Sequence, residues 1–411
     1  MRKINQYIMR RILFSSLLLP LIVTNEAYSQ SKSNNPTLSF KNGLGLVTPD
    51  STFSINFRFR TQLRAAYNTV STDDFSASEI EARVRRTRMR IEGFLVNPKI
   101  NYYVQLSFSR GDMDWVDNDN SVVNSSPNIV RDAVLIYKPN SKLSIIFGQT
   151  KLPGNRQRVV SSGEQQFAER SIVNATFNID RDFGAQFVYQ NNVSNFVYVL
   201  KGAISSGEGR NSVASNAGLA YTGRVELLPL GSFKNRGDYF EGDLEREQKP
   251  KLSLAGGYYH NESAMRTAGG LGKDLYANRN INSIISDLLF KYRGFALSAE
   301  YIVRNSPSPI TTNSTNQERI IYVGEGKMVQ LSYLFRNNIE IAGRYAIVSP
   351  YSTINSKELQ RKETGLGATK YLNKHRVKVQ GYVYYNQSNN LSNNSTSSKN
   401  WTAMFQTELG I

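Results

Sequence analysis

The chain has no cysteine, and its only histidines are His260 and His375. No disulfide can staple this fold, and a lipid anchor carried on a cysteine at a cleavage site is excluded. Stability must therefore come from a large core or from a sheet closed on itself. His260 reads as lying near the outer end of a strand and His375 at a turn, both as girdle or surface residues, which is poor material for an imidazole metal site. Tryptophan (2) and proline (12) are scarce. After residue 29 no run is apolar enough to cross a bilayer as a helix, which needs about 20 residues. No glycine-rich phosphate loop is present either. What is abundant is tyrosine (23), phenylalanine (20) and positive charge, a formal +17.

Residues 1–29 have the layout of a signal peptide. Arg2, Lys3, Arg10 and Arg11 precede an apolar run from Ile12 to Val23, and small residues at Ala27 and Ser29 suit cleavage before Gln30. Four basic residues and one acidic residue leave with the leader, so +17 becomes +14. A strongly basic exported chain implies anionic partners. An outer-membrane location would keep nucleic acid away from it.

The rest reads in period two. Phe53, Ile55, Phe57, Phe59, Leu63 and Ala65 alternate with Ser54, Asn56, Arg58, Arg60, Gln62 and Arg64. Met89, Ile91 and Leu95 then oppose Arg86, Arg88, Arg90 and Glu92, and Ile100 to Phe108 opposes Asn101 to Ser109. In a strand this puts the apolar set on one face, for lipid, and the polar set on the other, for a lumen. Such segments start near Phe53, Arg83, Ile100, Val130, Leu143, Phe183, Phe196, Ala217, Leu252, Ser283, Phe295, Lys327, Ile339, Lys362, Arg376 and Trp401. The fold class predicted is all-β, a transmembrane antiparallel β-barrel of about sixteen strands. Short turns at one end and long loops at the other orient it, with the short end periplasmic. Residues 30–50 are read as a periplasmic lead-in and 51–411 as the barrel. One link, Pro229 to Pro250, should be short but is long and charged. Tyr67, Tyr137, Tyr258, Tyr259, Tyr384 and Trp401 are assigned to interfacial girdles. Small inward residues such as Ser54, Asn56, Ser107, Ser109, Thr222 and Ala342 suggest an open lumen.

Several stretches resemble the phosphate-selective porin O and P family. They are Arg85 to Gly93, Val130 to Tyr137, Phe147 to Pro153, Phe167 to Ser171, Asp180 to Gly184, and the charged link Tyr239 to Glu247 with Lys249 to Leu252. The resemblance implies a trimeric sixteen-stranded porin whose third loop, here 151–182, folds inward. It also implies an arginine ladder leading phosphate or polyphosphate to a constriction. Ile411 ends the chain where the family usually has an aromatic, yet Leu409 and Phe405 keep the alternation that the barrel-assembly machinery would meet.

The ladder makes physical sense. A guanidinium offers a fixed fork of donors for phosphate oxygens and stays charged at any relevant pH. The lumen candidates are Arg58, Arg60, Arg64, Arg86, Arg88, Arg90, Arg344 and Lys378, with Arg224 and Arg376 also inward. Lys151, Arg156, Arg158 and Arg170 are the candidates on the constriction loop. The competing expectation is that acids such as Glu92, Asp132, Glu226 and Glu340 neutralise them. Neither a catalytic residue nor a cofactor is assigned. A barrel hydrolase would need His260 beside a nucleophile, and no serine motif points to it. A non-conducting adhesin or secretion component is the other alternative.

Overall fold

Closing a sheet on itself satisfies every backbone donor and acceptor inside hydrocarbon, and this chain does so. The computed structural model describes residues 35–40, 43–109, 129–212 and 218–411; the leader expected at 1–29 lies outside them. The architecture belongs to the unit Pro36–Ile411. A short hairpin of β1 (Thr37–Ser39) and β2 (Leu44–Val47) precedes β3 (Ser54–Thr69), β4 (Ala77–Leu95), β5 (Asn97–Ser107), β6 (Val130–Tyr137) and β7 (Leu143–Lys151). Next come β8 (Arg181–Val193), β9 (Phe196–Ser205), β10 (Ala220–Leu228), β11 (Lys251–Arg266), β12 (Asp274–Tyr292) and β13 (Phe295–Asn305). A small loop hairpin, β14 (Ile310–Thr312) and β15 (Glu318–Ile320), leads to β16 (Gly324–Leu334), β17 (Ile339–Pro350), β18 (Gln360–Asn373), β19 (Val377–Asn390) and β20 (Ser395–Gly410). β20 returns antiparallel to β3, with Gln406 opposite Arg64 and Gly410 opposite Arg60. Sixteen strands, β3–β13 and β16–β20, thus close an antiparallel barrel.

The faces follow the alternation. Phe59, Leu63 and Tyr67 on β3, Leu331 and Tyr333 on β16, and Phe405 and Leu409 on β20 are exposed outward, where lipid lies. Between them Gln62, Arg64, Gln330, Gln406 and Glu408 are buried on the lumen side. The periplasmic links are mostly tight: one residue joins β4 to β5, and Arg293-Gly294, both at positive φ (49° and 93°), make the tight hairpin turn between β12 and β13.

The structure departs from the sequence reading in four places. The β11–β12 and β19–β20 connections are extended hairpins rather than long loops, because polar residues such as Asn386 and Asn400 continue the ladder. Tyr259 and Tyr384 are inward and buried rather than girdle residues, since they sit one register step from outward Tyr258 and Val383. His375 is likewise covered: its ring meets Phe240 and Tyr371 edge-on. Burial, with Lys378 and Lys291 nearby, holds its imidazole well below the usual pKa and uncharged at neutral pH. The fourth departure is in the lumen, whose wall is apolar where β12, β13, β16 and β17 face inward.

That apolar wall receives the third loop. Within it lie two short helices, α1 (Arg156–Val159) and α2 (Ile172–Phe177), the latter started by Ser171, whose Oγ accepts from the Asn174 N–H at 3.3 Å. Val173 and Phe177 of α2, with Ile179, are buried against inward Ile281 and Ile285 of β12, Ile302 of β13, Met328 of β16 and Ala346 and Val348 of β17. Arg304 of β13 donates to Thr176 O at 3.0 Å and satisfies a carbonyl at the end of α2. The loop is therefore held by a core inside the barrel, not by surface ion pairs.

Candidate functional site

With α2 anchored on the β12–β17 side, the segment Ser161–Arg170 crosses the lumen toward the arginines of β3 and β4. Barrel side chains grip its backbone. Lys378 Nζ donates to Gly163 O at 3.0 Å and to Gln165 O at 2.6 Å, and Tyr382 OH donates to Gln166 O at 2.7 Å. Phe167 packs with Ala342, Tyr382 and Tyr384, and Arg344 lies over its ring, 4.2 Å from the centroid. Small Ala342 thus makes room for the loop rather than for water.

Two lines of guanidinium groups then face the loop. Lowest are Arg58 and Arg90, both paired with Glu92 at 2.7 and 2.5 Å. Above them, Arg60 Nη2 and Arg88 Nη1 both donate to Ser162 Oγ, at 2.9 and 3.0 Å, and Arg60 also meets Glu408 at 3.4 Å. A hydroxyl whose lone pairs accept from two guanidinium groups keeps its own proton to donate. Higher still, Arg64, Arg85 and Arg86 converge on the Glu169 carboxylate.

Arg85 was invisible to the alternation rule. Gln62 pairs with Arg86 but Leu63 pairs with Val84, so Arg85 is the extra residue of a β-bulge, and two consecutive arginines aim inward. The doublet Arg85-Arg86 inside a run of alternating arginines was the available signal.

The loop candidates divide. Arg156 is buried in a pair with Asp287 at 2.6 Å, Arg158 pairs with Asp180 at 2.6 Å, and Arg170 donates to Gln157 O at 2.6 Å and Val160 O at 2.9 Å. Lys151 holds Val159 O at 2.9 Å and Val160 O at 3.1 Å. Arg344 pairs with Glu363 at 2.9 Å and donates to Glu169 O at the same distance. Arg224 bridges Glu226 and Asp287, each at 2.7 Å. These groups shape and anchor the loop. By contrast Arg58, Arg60, Arg88 and Arg90 line open space.

That open space is two contiguous cavities, of about 170 and 460 Å³, between the β3–β7 wall and the loop. The link 229–250 turns into the lumen and lines the larger of them through Asn235, Arg236, Tyr239 and Phe240, while the smaller reaches Arg376, Gly410 and Ile411 at the rim. The link's Glu241 N–H donates to Glu164 O at 2.9 Å, and Lys291 holds it through Gly237 O and Phe240 O at 2.6 and 2.7 Å. Phe233 of the link packs on Val197, Leu228 and Leu289, sealing the far side with apolar contacts. Around the two cavities stand eight basic side chains, Arg58, Arg60, Arg88, Arg90, Lys151, Arg181, Arg236 and Arg376. Four acids accompany them, Glu92, Asp132, Glu164 and Glu408.

Glu169 titrates unusually. Burial pulls its carboxyl upward, but Arg86, Arg85 and Arg64 outweigh burial and hold it well below the usual carboxylate range. A depressed pKa means that the tether is fully present above the ordinary carboxylate value and is lost only as pH falls through the depressed one. Conductance and selectivity are therefore expected to be unchanged by this group between pH 7 and about 4, the ordinary Glu value. A bilayer titration checks this; a step near that ordinary value would place Glu169 outside the arginine cluster.

A closed sixteen-stranded antiparallel barrel with an apolar outer face, an inward-folded loop and arginine-lined cavities beside it is the architecture of a porin of the Gram-negative outer membrane. Residues 55–335 match the family model for phosphate-selective porin O and P, and the chain belongs to that family. Solved structures share the fold at low identity. An anion-selective porin from Comamonas acidovorans is 13% identical over 87% of this chain and 100% of its own, with a TM-score of 0.51. The trimer form of OmpT, an outer membrane protein of Vibrio cholerae, is 11% identical over 87% and 99%, with a TM-score of 0.51. Salmonella typhi OmpF, in complex with daunomycin, is 14% identical over 88% and 99%, also at 0.51. No curated protein sequence matches significantly.

Proposed function

We propose that this porin is a passive channel, not an enzyme, for small anions, and that phosphate is the solute its lumen suits best. The observation that carries the reading is the excess of eight basic over four acidic side chains around the two cavities. Low-dielectric walls focus that field, concentrating anions and repelling cations. The Arg58 and Arg90 side chains are 38% and 34% exposed toward the cavities, so their guanidinium groups are within reach of a phosphate oxygen. Acids pair with part of the set, Glu92 with both Arg58 and Arg90, Glu408 with Arg60 and Glu363 with Arg344, and the reading rests on the basic excess that remains. A homotrimer, delivered by the barrel-assembly machinery, belongs to the same reading, supported by the trimer form of the similar Vibrio protein.

The test is the zero-current potential of purified protein in a planar bilayer across a potassium chloride gradient, with and without millimolar phosphate. Anion-selective current that phosphate blocks is the expected result. Cation-selective current would end the anion reading, and silent, well-folded barrels would bring an adhesin or secretion role to the front.

A further inference from the structure

The cluster at Arg64, Arg85 and Arg86 differs from the rest of the arginine column in one respect: a carboxylate from the loop already fills it. Arg85 Nε lies 2.5 Å and Arg86 Nη2 3.1 Å from the two Glu169 oxygens, and Arg64 Nη1 closes on the oxygen that Arg85 holds, while Arg64 Nε and Nη2 are forked onto Glu81 of β4 at 2.6 and 2.9 Å. The loop backbone is fixed just there by Arg344, which donates to Glu169 O at 2.9 Å. The carboxylate is not sealed away, since its side chain is 26% exposed. Because β3 runs outward from Ser54 to Thr69, this cluster lies on the extracellular side of Arg60 and Arg88, so a solute entering from outside meets it first.

We infer that Glu169 is a resident counter-anion that sets which solutes the arginines accept: an entering anion binds Arg64, Arg85 and Arg86 only by displacing this carboxylate. The inference rests on the anion-channel reading above. Its physical content is an exchange. A monoanion such as chloride that takes the carboxylate's place brings no more charge than it removes. A dianion such as hydrogen phosphate brings one more, and its tetrahedral oxygens can serve at once Arg85, Arg86 and the Nη1 that Arg64 leaves free of Glu81, donors that two Glu169 oxygens must share. The β-bulge at Arg85 matters here because it supplies the third guanidinium. Glu169 thereby converts a generally basic patch into a filter for multiply charged oxyanions.

The experiment measures the phosphate concentration that half-blocks chloride current, in low and in high potassium chloride, for wild type, Glu169→Gln, Arg85→Gln and Glu79→Gln. Glu79 is exposed at the outer end of β4 and outside the cluster, so its variant reports the loss of a charge at the same mouth. In low chloride, Glu169→Gln is expected to lower the half-blocking concentration on the order of tenfold, the equivalent of one charge-assisted hydrogen bond. High chloride, now able to occupy the vacated place, should erase that gain. Arg85→Gln, which keeps the resident carboxylate and loses a donor, should raise the half-blocking concentration, and it decides the matter if Glu169→Gln does not assemble. An unchanged block in these variants, or the same shift in Glu79→Gln, overturns the inference while leaving an anion-selective wild type intact. A wild type without anion selectivity instead overturns the channel reading beneath it.

Discussion

Replacing Arg60 and Arg88 together by glutamine is expected to weaken phosphate block by about a hundredfold or more, since each lost guanidinium contact is worth about 1.5–3 kcal/mol and every 1.4 kcal/mol is tenfold. The two groups share Ser162 Oγ, at 2.9 and 3.0 Å, and both border the smaller cavity. Glutamine retains hydrogen-bonding capacity and approximate reach, so the loop should stay seated through Lys378 and Phe167 while the charge disappears. The zero-current potential should move toward that of an unselective pore in the same variant. Unchanged block with normal conductance would move the binding step elsewhere, to Arg58 and Arg90 or to the outer cluster.

Phe177→Ala should have the largest effect on the pore's shape. The ring is fully buried between the loop and the barrel, meets Tyr322 edge-on at 5.6 Å, and lies so close to β16 that a Cβ on Gly326 would sit 2.9 Å from it. Truncating a buried phenylalanine costs about 3–5 kcal/mol. That loss falls on α2 and not on the strand ladder. The expected outcome is an intact barrel by heat-modified electrophoretic mobility, with a single-channel conductance several-fold higher and anion preference reduced. Protease cleavage between 152 and 180 should also appear. A variant with wild-type conductance would mean that the grip of Lys378, Arg344 and Tyr382 suffices without the apolar anchor.

The barrel was largely legible because period two is a geometric property of a strand and depends on nothing distant. Alternation and turn length together placed all sixteen strands and the odd link. What alternation could not tell was which inward positions face water. In β12, Ile281 and Ile285 point inward and Ile284 outward; both faces are apolar, and only the seat of α2 distinguishes them. The same blindness misread Tyr384, which waits for Phe167, and Ala342, which makes space for it. At the candidate site the inward arginines of β3 and β4 were readable, but Arg85 was not, because a bulge suspends the period on which the reading depended. Nor could the sequence pair Glu169 with three guanidiniums contributed by strands some eighty to a hundred positions earlier, since that contact is made only after the loop has folded back through the lumen.

The short hairpin at the start of the described chain bears on how the barrel is finished. β20 pairs with β3 only from Arg60 to Asn68, which would leave Ser54 to Phe57 with one bare side. β2 fills that side, Val47 against Ser54 and Leu44 against Phe57, and β1 folds over β2 in turn. The seam between first and last strand is thus finished by the chain's own beginning. A seam whose first strand is covered in this way offers a crowded membrane no template for strand exchange along Ser54 to Phe57, so copies of this protein can stand side by side while each keeps its own ladder there.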